Sequence, residues 1–232
     1  MFDNDVLNIK EISGVLLKHP TPNLEYPFNT SYSTKVPSYR NELFIYLSGE
    51  STWTLGNTTF HLKEGDVCVD YTMGNGHDTL WLSRAVGKDG KVYAFDIQQA
   101  AVDSTRKRLA EVGCPENYTL ICDSHHNAAK YIDCKIKGGM FNLGWLPGGD
   151  KSITTMRETT MPAIETAISL LDSDGVLTVA VYPGHPEGDA EGRMIEEYLS
   201  SLSRFKVCAT KVKIVNSETS PYFFMIETKK KA

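Results

Sequence analysis

Apolar and polar positions follow two different patterns along the chain, and the change lies near residue 65. From there to the carboxyl end, short runs of Val, Ile, Leu and Phe alternate with longer segments whose apolar residues recur at helical spacing. Such runs are typical of strands buried on both faces, and such segments are typical of helices packed on one face. Their alternation predicts an α/β fold, with a mostly parallel sheet covered by helices on both sides.

Seven strands and four helices are predicted in this part of the chain. The strands are placed at residues 67–70, 91–96, 118–122, 139–143, 176–182, 205–215 and 222–228, the last two as a closing hairpin. The helices are placed at residues 80–86, 100–112, 154–171 and 188–203. In a sheet of this kind, ligands lie at the carboxyl ends of the strands.

The residues before this domain have a different pattern. Four prolines between positions 20 and 37 favour short extended pieces and turns over a long helix. From Glu42, three strand-like runs are separated by turn residues at 48–50 and 56–57, which predicts a short β-meander.

The segment from Glu42 to Asp66 resembles the cupin-like N-terminal arm of AraC-type regulators. It shares with that arm a strand, an SGE turn, a strand, a GN turn and a strand that leads into Gly-Asp. The metal-binding histidines of true cupins are missing, because His61 stands alone. We therefore predict an N-terminal extension with cupin-like β-hairpins over residues 1–64, suited to packing or dimer contacts, and a second domain over residues 65–232.

A glycine turn follows the first strand of the second domain. That strand ends in Asp70, and Gly74-Asn75-Gly76 supplies backbone that can bend sharply and approach a ligand. Asp96 ends the next strand, 22 residues after Gly74, where α/β nucleotide sites hold ribose hydroxyls. The spacing favours a nucleotide-like ligand over an ordinary strand-to-helix turn. Asp123, at the end of the third strand, is predicted to face the same crevice.

The loop after the fourth strand carries the strongest sign of an acceptor site. Asn142 leaves a buried strand, and Trp145 follows it in a loop rich in Gly and Pro. The carbonyl groups of Asn142 and of Gly144 can accept the hydrogens of an amino group, and the Trp145 ring can stack on a base. This arrangement is similar to the Asn-Pro-Pro-aromatic loop of enzymes that methylate amines on bases. A strand-end turn with a core tryptophan is the alternative.

Two other nucleotide sites fit these residues less well. A phosphate loop would need lysine at position 150, where Asp150 would repel a phosphate. A nicotinamide dehydrogenase would need a small residue at Thr79 and a pyrophosphate on the next helix, and Asp70 and Asp78 place negative charge there. A cationic sulfonium cofactor with a free amino group fits those acids better, which favours S-adenosylmethionine.

Composition adds limits. The net charge of −5 argues against a broadly basic nucleic-acid binder, although basic clusters at 106–108, at Lys135 and Lys137, and at 229–231 are either RNA-docking patches or solvated faces. Five cysteines without a Cys-x-x-Cys pair predict buried free thiols and no metal site. The acidic start and the lack of a long apolar run predict a cytoplasmic protein without a membrane span.

Four strings carry a resemblance to a known family. They are GDVCVDYTMGNGHDT from Gly65, VYAFDIQ from Val92, FNLGWLPGGDKSITT from Phe141 and VYPGHPEG from Val181. From about Glu64 to the end, the chain closely resembles the bacterial rRNA-methylase-like family of class I methyltransferases. That family is related to the enzyme that methylates the aminomethyl group of wobble 5-aminomethyl-2-thiouridine in tRNA. The resemblance implies a Rossmann-like seven-stranded sheet and S-adenosylmethionine as the methyl donor.

The resemblance also implies a set of site residues. It places the glycine turn near the methionine part of the cofactor, Asp96 on the ribose and 123–125 near the adenine. The implied cofactor contacts are Asp70, Met73, Gly74, Asn75, Gly76, His77, Asp78, Thr79, Asp96, Ile97, Gln98, Asp123, Ser124, His125 and Asn142. The implied acceptor contacts are Trp145, Leu146, Pro147, Gly148, Lys151, Tyr182, Pro183 and Gly184.

The sequence therefore predicts methyl transfer from S-adenosylmethionine to an amine nitrogen on tRNA. Asn142 and Gly144 are expected to hold the amine, and Asp150, His185 or His77 to help remove its proton, with His185 preferred. Alternatives are methylation of rRNA or of a small molecule, or a non-catalytic cofactor-binding or dimerising module. The N-terminal hairpins stand where the family usually has a helix near the cofactor, so the closure of the pocket is in question, and their edges favour a homodimer.

Overall fold

The computed structural model describes residues 62–228 throughout, and before them the backbone of four short strands, β1 (Val15–Leu17), β2 (Leu43–Ile45), β3 (Trp53–Leu55) and β4 (Thr58–Phe60). The chain divides into two compact units, Met1–His61 and Leu62–Ala232. The predicted turn at 48–50, the proline-containing segment, His61 and the lysines at 229–231 lie outside the described residues.

The four short strands of the first unit form two separate pairs. β3 and β4 are antiparallel and flank Gly56 and Asn57, as the predicted hairpin requires. The predicted meander is wrong for the strand that precedes them, because β2 pairs with β1 and not with β3. Turn residues mark where a strand ends, but the choice of its partner depends on non-local contacts that the local pattern does not encode.

The second unit is built on one seven-stranded sheet. Its strands are β5 (Val67–Asp70), β6 (Lys91–Asp96), β7 (Tyr118–Cys122), β8 (Ile136–Asn142), β9 (Leu171–Val181), β10 (Val207–Val212) and β11 (Tyr222–Thr228). Their order across the sheet is β10-β11-β9-β8-β5-β6-β7, and β11 runs antiparallel to both of its neighbours while the other pairs are parallel. The order reverses between β5 and β8, so ligands are expected at that point.

Four helices connect the strands, as predicted. They are α1 (His77–Val86), α2 (Gln99–Glu111), α3 (Arg157–Leu170) and α4 (Pro186–Ser201). The polar cluster at 123–127 continues into a short 3₁₀ helix, His125–Lys130. Among the described residues, no helix combines the length and the apolar character that a membrane span needs.

Strand β9 begins five residues earlier than predicted. The predicted helix 154–171 and strand 176–182 leave the polar segment 172–175 as a connection between them. It lies instead inside the strand as an irregularity beside β8, where the pairing passes from Ile136 with Leu171 to Gly138 with Val176. Asp174 adopts a left-handed conformation, with φ of 65°. A strand can absorb extra residues in a bulge, which a polar pattern does not distinguish from a turn.

An aromatic stack lies between the core of the sheet and the carboxyl ends of strands β5 and β8, where ligands are expected. Tyr71, the residue after β5, stacks on Phe141 of β8 with ring centroids 4.2 Å apart, and both are buried. Gly139 makes room for it, because a Cβ there would lie 3.0 Å from the Tyr71 ring and 2.8 Å from Leu177. The stack fixes the direction in which the chain leaves β5 toward the glycine turn.

All five cysteines are free thiols, but the prediction that they are buried is wrong for most of them. Cys68 is buried, whereas Cys122 and Cys134 are exposed and Cys114 and Cys208 are partly exposed. Apolar neighbours along the chain suggested burial. Exposure depends on which face of an edge strand or loop each side chain takes, and β7, which ends at Cys122, is an edge strand.

Candidate functional site

The buried carboxylate of Asp70 lies at the bottom of the site and holds its backbone in place. It has no exposed surface; one oxygen accepts the backbone N–H of Thr72 at 3.2 Å and the other accepts the Thr79 hydroxyl at 2.6 Å. These bonds tie the end of β5 to the first turn of α1. Asp70 was predicted to contact the cofactor, and in this structure it acts by holding the turn that would do so.

Helix α2 fastens the glycine turn from outside. The Thr105 hydroxyl donates to the carbonyl of Gly74 at 3.0 Å, and Arg108 Nε donates to the carbonyl of Asn75 at 2.6 Å. The Ser104 hydroxyl donates to the side-chain oxygen of Asn75 at 3.0 Å. Gly76 has φ of 77°, and a Cβ there would lie 2.7 Å from Thr105, so a glycine is required both for conformation and for space.

The basic cluster 106–108 lies on α2, and its three members have different partners. Arg108 donates a hydrogen bond to the glycine turn, Arg106 pairs with Asp103 at 3.0 Å, and Lys107 lies 3.9 Å from Glu111. The surface pairs are exposed and contribute little to stability. Nothing in the sequence separates Arg108 from Arg106 and Lys107, because helical periodicity does not show which element a given face of the helix packs against.

Asp96 connects the glycine turn to the second strand. Its two oxygens accept the backbone N–H groups of Gly74 at 3.1 Å and of Gln98 at 2.9 Å. Burial raises the pKa of Asp96, and these N–H groups oppose that rise. Each carboxylate oxygen has a further lone pair, so the group is able to accept ribose hydroxyls as well. The adjacent Ile97 is 57% exposed and offers an apolar surface to a ligand.

The residues predicted near the adenine divide into two groups. Asp123 is held by the Asn127 amide and the Tyr131 hydroxyl, both at 2.9 Å, and these bonds lower the pKa of Asp123. His125 instead faces the interior: its Nδ1 lies 3.2 Å from the carbonyl of Tyr71, and burial lowers the pKa of His125 to about 4. His125 is thus a neutral packing residue beneath the edge of the sheet.

The side chain of Asn142 is oriented by an acid. Its Nδ2 donates to Asp78 Oδ2 at 2.6 Å, and its backbone N–H donates to the Thr72 hydroxyl at 2.7 Å. The bond to Asp78 assigns the orientation of the side-chain amide, because a carboxylate accepts only from the NH₂ side. No described residue donates to Oδ1 of Asn142, so that oxygen is available to the hydrogens of a ligand.

Two acids give this part of the crevice its charge preference. Burial and the nearby Asp78 raise the pKa of Asp70 to about 7. Burial also raises the pKa of Asp78, and the hydrogen bond from Asn142 opposes that rise. Two neighbouring carboxylates favour a bound cation, because a positive charge lowers the cost of ionising both.

The loop that follows Asn142 lies over the glycine turn. Asn75 Nδ2 donates to the carbonyl of Pro147 at 3.2 Å, and Leu146 is 3.6 Å from the position that a Cβ on Gly74 would take. The predicted cofactor turn and the predicted acceptor loop therefore face each other at short distance. Lys151 Nζ lies 5.5 Å from the centre of the half-buried Trp145 ring.

Thr155 closes the base of this loop. Gly144 N–H donates to the Thr155 hydroxyl at 2.9 Å, Thr155 N–H donates to the Gly144 carbonyl at 2.9 Å, and Trp145 and Thr154 form an antiparallel bridge. The Gly144 carbonyl, which was predicted to hold the amine, already accepts one hydrogen and keeps one lone pair. Asn142 is the less occupied of the two carbonyl groups.

The three candidate proton acceptors differ in their surroundings. Asp150 is exposed and accepts Ser152 N–H at 2.8 Å, which lowers the pKa of Asp150. His185 Nδ1 accepts Gly188 N–H at 3.1 Å, so the neutral ring carries its proton on Nε2 and is a donor there. Desolvation and Arg108 lower the pKa of His77, which keeps that ring neutral and able to accept a proton. The Nδ1 lone pair of His185 is thus already engaged, which counts against His185 as the proton acceptor.

His185 has another position in the site. It caps the first turn of α4, and its ring lies 5.1 Å from the Trp145 ring. Gly184, with φ of 98°, donates its N–H to Asp189 at 3.2 Å. The segment 182–188 thus borders the Trp145 loop, on the side where the acceptor is predicted. Within residues 62–228, no cluster of His, Cys, Asp or Glu side chains is suited to a metal ion.

Comparison with known proteins agrees with this architecture. Residues 92–227, more than half of the chain, match the family described as "Putative rRNA methylase". The chain belongs to this rRNA methylase family. The match runs from the second residue of β6 to the next-to-last residue of β11 and includes Asn142 and the loop that follows it.

One relative of this rRNA methylase family protein comes from a plant. The chloroplast tRNA (mnm5s2U34)-methyltransferase of Arabidopsis thaliana is 35% identical over 170 residues, which are 69% of this chain and 62% of that protein. The chain spans less than two thirds of the length of the named relatives it matches.

Solved structures confirm the predicted class I methyltransferase fold. An rRNA methylase from Clostridium thermocellum is 41% identical, with a TM-score of 0.71 over 72% of this chain and 91% of that one. A methyltransferase from Streptococcus mutans, solved in complex with SAH, is 34% identical, with a TM-score of 0.66 over 72% and 91%. An rRNA methylase from Streptococcus thermophilus is 34% identical, with a TM-score of 0.61.

Proposed function

We propose that the protein transfers a methyl group from S-adenosylmethionine to an amine nitrogen on RNA, and that its acceptor is the aminomethyl group of wobble 5-aminomethyl-2-thiouridine in tRNA. The observation that carries the proposal is the Asn142 amide, oriented by Asp78 at 2.6 Å so that Oδ1 is available for amine hydrogens. The relative in Arabidopsis thaliana named for mnm5s2U34 supports the choice of acceptor.

The residues present fit this cofactor. The buried Asp70 and the partly buried Asp78 suit a cation, Asp96 has lone pairs for ribose hydroxyls, and Ile97 presents an apolar surface beside them. When bound, the cofactor supplies a methyl group activated by a positive sulfur. A relative from Streptococcus mutans was solved with the demethylated product, SAH, which supports the same assignment.

The contribution of the protein is chiefly to hold the amine in position. Asn142 Oδ1 accepts one amine hydrogen, and the remaining lone pair of the Gly144 carbonyl is able to accept another. Such a cage directs the nitrogen lone pair toward the glycine turn, where the methyl group would lie. Positioning of this kind lowers the barrier by avoiding the loss of translational and rotational freedom at the moment of reaction.

The amine must also be neutral in order to attack. We propose His77 as the residue that takes its proton, because it begins α1 directly after the glycine turn, whereas the Nδ1 lone pair of His185 is already engaged. Trp145 is proposed to stack on the uridine, with Lys151 beside it to attract a phosphate. Each assignment uses a side chain at the rim shared by the turn and the loop.

The proposal is tested by nucleoside mass spectrometry of tRNA from a strain that lacks the gene. We expect 5-aminomethyl-2-thiouridine to accumulate, and the purified protein to convert it in that tRNA when S-adenosylmethionine is added. If the tRNA is normal and a methyl group is missing from rRNA or from a small molecule instead, that molecule is the acceptor and the tRNA assignment is wrong. Absence of cofactor binding to the purified protein would instead indicate a non-catalytic module.

A further inference from the structure

A buried carboxylate lies behind the acceptor loop, away from the cofactor. Glu191, on α4, has no exposed surface, and it accepts two hydroxyl hydrogens. Thr155 Oγ1 donates to Oε2 at 2.9 Å, and Thr160 Oγ1 donates to Oε1 at 2.6 Å. Burying an acid is costly unless it is fully hydrogen-bonded, so its presence here requires a reason beyond packing.

The hydrogen bonds form a chain that leads to the acceptor site. Gly144 N–H donates to Thr155 Oγ1, and Thr155 Oγ1 donates in turn to Glu191. Since the Thr155 oxygen already accepts from Gly144, its own hydrogen needs an acceptor on the opposite side. Glu191 supplies that acceptor, and thereby fixes the hydroxyl rotor in the one direction that suits Gly144.

The same helix holds the loop at a second point. His185, the cap of α4, packs its ring against Trp145, while Glu191 lies six residues further along that helix. The Arg157 N–H, at the start of α3, donates to Glu187 of α4 at 2.9 Å. Helix α4 and its cap residue therefore contact the Trp145 side chain, the end of the loop at Thr155 and the start of α3.

We propose that Glu191 is a positioning residue for methyl transfer: through Thr155 it sets the place of Gly144, and so of Asn142 two residues earlier, relative to the methyl group. The inference rests on the proposed function. It assigns to α4 a part in catalysis that does not involve contact with cofactor or acceptor.

Matched threonine variants separate positioning from simple stability. Thr155→Val breaks the path between Gly144 and Glu191, whereas Thr160→Val removes the other hydroxyl from the same carboxylate and leaves that path intact. Valine has nearly the same shape as threonine. We expect Thr155→Val to lower kcat about 10- to 100-fold, since small misplacement at a reacting centre is costly. Thr160→Val should keep kcat within about 3-fold of the wild type when both variants lose similar stability.

Glu191→Gln provides a second measurement. Its single amide oxygen accepts from only one of the two threonines, and its NH₂ group would face the other. We expect kcat to fall with the cofactor Kd unchanged, and the double variant Thr155→Val, Glu191→Gln to be no worse than Thr155→Val alone. Additive losses, or equal losses of kcat in Thr155→Val and Thr160→Val, would overturn the inference.

Hydrogen exchange at the Gly144 amide makes the result independent of the acceptor. We expect faster exchange in Thr155→Val and Glu191→Gln and unchanged exchange in Thr160→Val. Unchanged exchange in all three would refute the positioning path even if tRNA is the right acceptor. If the wild-type protein methylates no tRNA but the exchange pattern holds, the proposed function fails while the role of Glu191 in placing the loop stands.

Discussion

Asn142 and Asp78 are 64 residues apart in the chain, and a 2.6 Å hydrogen bond joins their side chains across the crevice. Asp78 lies in the first turn of α1, directly after the glycine turn, and Asn142 ends β8. The bond links the predicted cofactor side to the predicted acceptor side. Because Asp78 engages the Nδ2 of Asn142, the bond also determines that Oδ1 is the atom presented to a substrate.

Asn142→Ala should separate binding from chemistry. We expect cofactor affinity to stay within about 3-fold and methyl transfer to fall by roughly 100-fold or more, as for loss of one preorganised group at a reacting centre. Asp78→Asn is the companion variant, because it keeps the shape but frees the Asn142 amide to turn over. A tritium-transfer assay with calorimetry measures both, and full activity in Asn142→Ala would remove that residue from the site.

Asp96→Ala should weaken cofactor binding by the worth of a charged hydrogen bond, roughly 1.5–3 kcal/mol. Part of this loss would come from the glycine turn, since Asp96 also accepts Gly74 N–H. Asp96→Asn keeps one acceptor oxygen and is expected to lose less. Calorimetric titration with S-adenosylmethionine gives both values, and an unchanged affinity in Asp96→Ala would refute the ribose assignment.

Cofactor affinity should rise with pH through about pH 7. The pKa of Asp70 is raised to about 7 in the folded protein, from an ordinary value of 3.8, so the free protein holds a proton that a bound cation would displace. For the same reason the carboxyl makes the free protein less stable as pH increases from about 4 to 7, because the folded state binds the extra proton. Calorimetry in two buffers of different ionisation enthalpy counts the released proton. Asp70→Asn should flatten both pH dependences, and an identical pH slope in that variant would contradict the assignment.

Gly76→Ala tests the packing of the glycine turn on α2. The residue has φ of 77°, and its new Cβ would lie 2.7 Å from Thr105, whereas Gly113 has φ of 59° with nothing within 4 Å of a Cβ. Both alanines carry the left-handed penalty of about 1–2 kcal/mol, and only the first adds steric overlap, typically a further ~1–3 kcal/mol. Urea unfolding should therefore show the larger loss in Gly76→Ala, together with weaker cofactor binding. Equal losses in the two variants would mean that Thr105 moves aside at little cost.

The sequence by itself determined the order of elements and the ends of the central strands. Buried parallel strands are continuous apolar runs, so the central strands β5 and β6 were placed at their observed bounds and Asp70, Asp96 and Asn142 were located at strand ends. Parallel strands end at one edge, and this topological fact brought the three side chains to one crevice before any contact was known.

Only the tertiary structure decided which partner each polar group takes. Hydrogen bonds between Asn142 and Asp78, between Arg108 and Asn75, and between Thr155 and Glu191 join residues at least 33 positions apart. Nothing in the local pattern fixes such pairs, because each depends on how helices pack on the sheet. The same holds for β2, whose partner is β1, and for His185, whose ring orientation is set by the first turn of α4. Periodicity determines where an element lies, and packing determines what its side chains meet.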